Sequence, residues 1–335
     1  MLRNIFPHPA WLPASWLFRL CVALKNFLYN RKLLPVYRAP VPVVSVGGLE
    51  AGGSGKTPAL LALARNFLNK GMSVAVISEG YRRTTKGILH LKGEADWRLY
   101  GDEAYLVWKK THVSVVVGKK WQAARWAAQN LSPDLLLVDD GFQHRRLFRT
   151  VDILVSSEWE TLKNERLLPA GHLREPLKNL GRANLLLLRQ RKKPKLPFDW
   201  PAFPFSYNLA RARLWPEKRE LELPALRQKK LFLFAGLGRP ENFLESAKRW
   251  GLSVVDFYGL PDHHPYTQAE VDWLVEKSRL VGAEFLATTE KDAVRLSGLS
   301  FPDFSLVVLE IECKIEGEEY FFRKLEDRLF GRTFV

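Results

Sequence analysis

The 335-residue sequence predicts an α/β protein: a mostly parallel sheet with helices on both faces, a second, smaller α/β domain and an N-terminal amphipathic helix. Three observations predict it. Short apolar runs alternate with segments of helical spacing, the pattern of strands covered on both faces by crossover helices. The first of those runs opens into a glycine-rich turn and then a helix. A basic, proline-rich stretch at 189–201 separates a first set of such units from a second. At 47% hydrophobic and 12% aromatic, the chain can bury a sizeable core and is globular rather than disordered.

The elements follow in order. Residues 14–34 are apolar but broken by Arg19 and Lys25, which argues against a membrane span. Trp16, Leu17, Leu20, Leu24, Phe27 and Leu28 share one helical face, with Arg19, Asn26 and Asn30 on the opposite stripe. Such a helix suits the surface of a bilayer, or else packs its apolar face on the protein's own core. The first 49 residues hold no Asp or Glu but carry Arg3, Arg19, Lys25, Arg31, Lys32 and Arg38, a bias that fits a negative surface. Pro35, Pro40 and Pro42 end the helix.

Strands are predicted at Val41–Val46, Val74–Ile77, Leu135–Val138, Ile153–Val155 and Leu185–Leu188, with helices over 58–69, 103–110 and 119–130. The second set has strands at Leu231–Phe234, Val254–Phe257, Phe285–Thr288 and Leu306–Leu309, with helices over 240–250 and 267–281. The expected division is 1–34, 35–205 and 206–335. No repeat of solenoid period is visible. Cys21 and Cys313 belong to no paired spacing and read as free thiols in a reducing compartment.

The strongest motif is Gly52-Gly53-Ser54-Gly55-Lys56-Thr57, between a predicted strand and a predicted helix. That context defines a P-loop and makes the first domain P-loop NTPase-like. Glycines let the backbone approach phosphates, and the N–H groups and dipole of the helix start attract them. Lys56 would bridge the β- and γ-phosphates of ATP, and the Thr57 hydroxyl would ligate Mg²⁺. The strict pattern has a further glycine at position 50, where this chain has Glu50.

Acidic groups supply the rest. Leu135–Val138 runs into Asp139-Asp140, a buried strand delivering carboxylates beside the P-loop, as a Mg²⁺ shell requires. Gly101-Asp102-Glu103 sits at a helix start, where it serves either as a local cap or as chemistry. Asp262-His263-His264 follows a strand and a Gly-Leu-Pro turn. It reads either as loop histidines without a role or as a histidine working with a carboxylate in proton transfer. No third ligand is spaced to make a zinc site.

With Ser78-Glu79-Gly80-Tyr81, DDGFQHRRL at 139–147, LPAGHLREP at 168–176, Phe234-Ala235-Gly236 and TTEKDAV at 288–294, these motifs run in order along most of the chain. Together they resemble the tetraacyldisaccharide 4′-kinase family of the lipid A pathway. The resemblance implies ATP-dependent phosphorylation of the 4′-hydroxyl of an acylated glucosamine disaccharide 1-phosphate, giving lipid IVA. It implies a P-loop kinase domain, a smaller C-terminal α/β domain joined by a hinge, and attachment to the cytoplasmic face of the inner membrane as a peripheral or monotopic protein. Thr57, Glu103 and Asp139 fall at the metal site, Asp102 at the base that takes the sugar hydroxyl proton, and His263 at its partner. Tyr81, Asp140, Arg174 and Glu175 fall in the same site, with His264 able to share the role of His263. The chain departs from the family pattern at Gly48, Glu79, Arg82, Ala104 and His172, most notably by an acid at 79 where the family has arginine.

The formal charge of +15 admits nucleic acid as a partner, but no recognition module accompanies it, so none is expected. A monomer is expected. The competing class is a membrane-associated P-loop ATPase switch that needs no lipid substrate.

Overall fold

The computed structural model describes residues 9–51, 55–190, 200–217 and 219–331. Helix α1 (Leu12–Asn30) precedes β1 (Val43–Gly47), α2 (Lys56–Asn69), β2 (Val74–Ser78), β3 (Leu89–Leu91), α3 (Trp97–Tyr100) and α4 (Asp102–Thr111). Next come β4 (Ser114–Val117), α5 (Lys120–Asn130), β5 (Leu135–Asp139), β6 (Val151–Ser156), α6 (Trp159–Lys163) and β7 (Leu185–Leu188). Strand β8 (Ala202–Trp215) crosses to the second half, with β9 (Glu220–Leu221), α7 (Leu223–Arg227), β10 (Lys230–Gly236) and α8 (Glu241–Arg249). The chain finishes with β11 (Ser253–Leu260), α9 (Gln268–Leu280), β12 (Phe285–Thr289), α10 (Glu290–Arg295), β13 (Leu306–Ile315) and α11 (Glu318–Phe330).

Among the described residues these strands form one sheet in the order β11-β10-β12-β13-β8-β7-β6-β1-β5-β2-β4-β3, with β9 on β8. In the first half β1 lies between β5 and β6, parallel to both. Strand β8 joins the halves: it runs parallel to β7 at Leu186↔Ala202 and antiparallel to β13 at Val308↔Arg213. The expected boundary at 205 therefore falls inside one strand, and the two halves share a backbone ladder.

The core explains what holds the sheet together. All five residues of β1 are buried, as expected of a strand covered on both faces. Helix α2 buries Leu60, Leu63 and Phe67, spaced three and four apart, against the sheet. Each such side chain contributes roughly 1.5–3 kcal/mol by leaving water. The C-terminal α11 returns to the first half and buries Phe321, Phe322 and Leu325 in that same core.

Helix α1 does the reverse. It turns Ser15, Val22 and Asn26 to the protein and leaves Trp16, Leu17, Leu20, Leu24 and Phe27 50–67% exposed. Its anchors are polar: Ser15 Oγ donates to Leu167 O at 2.9 Å, Asn26 Nδ2 to Glu175 Oε2 at 3.0 Å, and Arg145 Nη1 to Asn26 Oδ1 at 3.1 Å. No helix among the described residues is long and apolar enough to cross a membrane.

Candidate active site

A cavity of about 540 Å³ lies where the C-terminal ends of β1 and β5 face the loops after β10, β11 and β12. The crevice beyond the strand ends is where open α/β sheets hold ligands. Its floor is the start of α2. Gly52, Gly53 and Ser54 lie outside the described residues. Gly55 has φ of +82°, and a Cβ there would fall 1.2 Å from the Tyr207 hydroxyl, so no other residue fits. Lys56 and Thr57 open α2, whose first turn holds no acid, leaving the helix dipole available to an anion.

The strand-end acids differ in electrostatics. Asp140 lies 3.5 Å from Lys56 Nζ and is also bound by Arg174. Burial would raise its carboxyl, but Lys56 and Arg174 outweigh that and hold it at about 2. Asp139 is pushed up to about 7, first by burial and then by the negative charges of Glu103 and Asp140. Asp139 and Glu103, on the same cavity wall as the Thr57 hydroxyl, form a hard oxygen donor set suited to Mg²⁺. Among the described residues no group of three or more His, Cys, Asp or Glu could hold a metal ion. Two carboxylates fit a Mg²⁺ whose remaining positions go to phosphate and water.

Across the cavity stands a carboxylate–imidazole pair. Gly101, with φ of +91°, turns the chain into α4, so that Asp102 is its first residue. One carboxylate oxygen accepts from the Glu103 backbone N–H at 2.8 Å, a local contact at the helix start. His263 Nδ1 lies 2.9 and 3.0 Å from the two oxygens of Asp102. Burial would raise Asp102, but the His263 hydrogen bond, Lys291 and Arg295 outweigh it and lower the carboxyl. Arg82 grips the histidine's loop, donating to the carbonyls of Asp262 at 3.1 Å and His263 at 2.9 Å. The Tyr81 ring lies 4.8 Å from the imidazole. Lys291, from α10, reaches Glu103 at 3.0 Å, His263 Nε2 at 3.1 Å and Asp262 at 3.3 Å. Burial would lower its ammonium, but Glu103, Asp102 and Asp262 raise it.

The family model for tetraacyldisaccharide-1-P 4′-kinase matches residues 8–330. The chain belongs to this family. The tetraacyldisaccharide 4′-kinase of Aquifex aeolicus is 35% identical over 328 residues, covering 95% of this chain and 98% of that protein. That of Bdellovibrio bacteriovorus is 35% identical over 301 residues, 86% of this chain and 89% of that protein. A crystal structure of LpxK from Aquifex aeolicus in complex with ATP superposes with a TM-score of 0.77 at 33% identity, covering 96% of this chain and 99% of that one. The switch class is not favoured by these matches.

Within that family frame, the cavity wall brings together Lys56, Thr57, Tyr81, Glu103, Asp139, Asp140, Arg174 and His263, with Asp102 buried directly behind His263. Two expected residues lie elsewhere. Glu175 is fully buried and faces away from the cavity, accepting from Asn26, Asn179 and Arg182 at 2.6–3.0 Å; it anchors α1. His264 turns outward, 2.7 Å from Glu270, because the left-handed backbone at His263 (φ 55°) sends successive side chains apart.

The departures also have local explanations. Glu50, where the strict P-loop has glycine, is 2% exposed and accepts from Ser156 Oγ, Ser157 N and Ser157 Oγ at 2.6–2.8 Å. Glu79 meets the buried ammonium of Lys120 at 3.2 Å, with His144 Nε2 at 3.5 Å. Burial and Lys120 together lower His144 to about 4, although Glu79 pulls the other way. Sequence reasoning did not single out Lys120, Tyr207 or Lys291. Lys291 had the clearest signal, a lysine at the start of a helix inside the TTEKDAV motif.

Proposed function

We propose that this chain transfers the γ-phosphate of ATP to the 4′-hydroxyl of tetraacyldisaccharide 1-phosphate, a step of lipid A biosynthesis. The observation that carries the reading is His263, held 2.9 Å from buried Asp102 and lining the cavity that also holds Lys56, Thr57 and Asp139. Phosphoryl transfer mostly needs positioning and charge neutralisation. The Gly52–Thr57 turn and α2 would cradle the phosphates, with Lys56 on the β- and γ-phosphates. Thr57, Glu103 and Asp139 would hold Mg²⁺, which when bound supplies neutralisation of phosphate charge. Arg174 and Asp140 keep Lys56 directed. Asp102, kept ionised by its neighbours, accepts the proton of the sugar hydroxyl by way of His263, which lines the cavity in front of it and relays the proton. Because Asp102 and His263 come from opposite halves, only the closed arrangement assembles the pair and shuts out water.

The domains read as 1–34 for membrane contact, 35–205 for the kinase chemistry and 206–335 for closure. We assign the protein, as a monomer, to the cytoplasmic face of the inner membrane. The apolar face of α1 would enter the lipid and its basic neighbours would meet anionic headgroups. Purified protein given radiolabelled ATP, Mg²⁺ and the acylated disaccharide 1-phosphate should label the lipid. ATP consumption that proceeds equally without the lipid would contradict the assignment.

A further inference from the structure

We infer that Glu79 is a specificity-determining residue: its outer carboxylate oxygen accepts a hydrogen bond from an uncharged donor of the acceptor sugar, a hydroxyl or an amide N–H. This rests on the reading of the cavity as the place where an acylated disaccharide meets ATP.

Glu79 directly follows β2, and β2 pairs with β5 at Ile77↔Val138. Its side chain lines the cavity one strand away from Asp139 and Asp140, together with Tyr81 and His263. One oxygen, Oε2, is committed: Lys120 Nζ donates to it at 3.2 Å, and His144 Nε2 lies 3.5 Å away. The other, Oε1, has no partner among the described residues, and the side chain is 52% exposed. A carboxylate accepts on both oxygens, so the cavity offers a ligand an acceptor at this point.

Lys120 holds that acceptor in place. Its side chain is 3% exposed, and Glu79 is its only hydrogen-bond partner among the described residues. Pulling Glu79 away would leave a buried ammonium unpaired, which is strongly unfavourable. An anionic group of the ligand reaches Lys120 only by displacing Glu79, and Glu79 repels it while the pair holds. An uncharged donor meets Oε1 without breaking anything. The arginine that the family pattern has at 79 carries donors alone, so the acid reverses what this part of the wall recognises.

The neighbours indicate which ligand arrives here. Arg145, next to His144, donates to Asn26 O at 3.0 Å and to Asn30 Oδ1 at 2.8 Å. A chain of contacts thus runs from α1 through Arg145 and His144 to Glu79, on the side from which a lipid headgroup enters.

Steady-state kinetics of the full-length protein with ATP, Mg²⁺ and the acylated disaccharide 1-phosphate tests this. Glu79→Gln keeps its amide oxygen for Lys120 and turns a donor outward. It should raise KM for the lipid about tenfold, with kcat within about threefold and KM for ATP within about twofold of wild type. Glu79→Ala should raise the lipid KM at least as much; if it does not fold, Glu79→Gln alone decides. An unchanged lipid KM in Glu79→Gln would overturn the inference. So would a lower one whose gain vanishes when the acceptor lacks its phosphate, since that places an anion at Lys120. A wild-type protein that leaves the lipid unphosphorylated defeats the reading of the cavity, whatever Glu79 does. Normal wild-type turnover with an unchanged KM in the variants defeats only the role of Glu79.

Discussion

The two halves of the sheet contribute unequal chemistry. The first half presents rigid groups where a strand ends or a helix begins: Lys56 and Thr57 open α2, Asp102 and Glu103 open α4, and Asp139 closes β5. The second half offers His263 on a left-handed loop residue and Lys291 on a six-residue helix. Each half alone leaves groups uncompensated. Asp102 without His263 loses its side-chain hydrogen bond, and Lys291 without Glu103 loses the strongest of its counter-charges. On the proposed function, phosphate binding belongs to one half, whereas proton removal needs groups from both.

The comparison breaks most sharply with Lys56→Ala, a change confined to the phosphate side. Turnover should fall on the order of 10³-fold, because a charge on the transferring phosphoryl group is lost. The fold should survive, since Lys56 lines the floor of the cavity and is not in the core. Asp102→Ala should come next, with a loss of about 10²–10³-fold in kcat and little change in ATP affinity. Weakened ATP binding in that variant would place Asp102 on the phosphate side instead. The adjacent histidines sharpen the contrast: His263→Ala should cost about 10²-fold in kcat, whereas His264→Ala should stay within about twofold of wild type. Steady-state kinetics on the three proteins decides between them.

The same asymmetry explains what the sequence reveals. The P-loop, Asp139 and Gly101-Asp102-Glu103 are local motifs whose function follows from sitting at an element's end, so alternating apolar runs are enough to locate them. Strand β8 is not visible in this way: over fourteen residues it passes from buried to half-exposed, with Ser206, Asn208, Arg211 and Arg213 diluting its pattern. Tyr207 over Gly55 was hidden with it. Helix α11 joins a core some 120 residues earlier in the chain, which no local spacing encodes. His263 and His264 are indistinguishable by type and position, and only the backbone angle at 263 separates them. Glu175 sits in a motif full of site residues, yet burial against Asn26 gives it a different task.

Helix α1 sets another contrast, with α2. Both carry apolar residues, but α2 buries Leu60, Leu63 and Phe67 in the core while α1 leaves Leu20 and Leu24 65% and 56% exposed. Charging that face should leave the melting temperature unchanged and lower binding to anionic vesicles. Each buried leucine is worth roughly 1.5–3 kcal/mol, so Leu20→Glu with Leu24→Glu should cut partition by about 10² or more. A variant that partitions like wild type would mean that the face serves some other contact.

The smallest effect lies in the second half, at Glu270. Its carboxylate closes a capping box on α9, accepting from Thr267 N and Thr267 Oγ1 at 2.9 Å, and it meets His264 Nε2 at 2.7 Å. Burial would raise Glu270, but the Thr267 and His264 hydrogen bonds outweigh it and lower the carboxyl below its ordinary 4.5. A carboxyl depressed by folding stabilises fully above the unfolded value, and that contribution is lost as pH falls through the folded one. Replacing the charged acceptor by a neutral one costs about 1 kcal/mol, which shifts the melting temperature by about 2 °C. Glu270→Gln should therefore melt below wild type near neutral pH, and the gap should close as the pH drops well under 4.5. The linkage predicts this direction because acid removes from wild type the charge that the variant never had. A gap that widened in acid would mean that the Glu270 contacts hold the protonated form, and would detach His264 from the stability of α9.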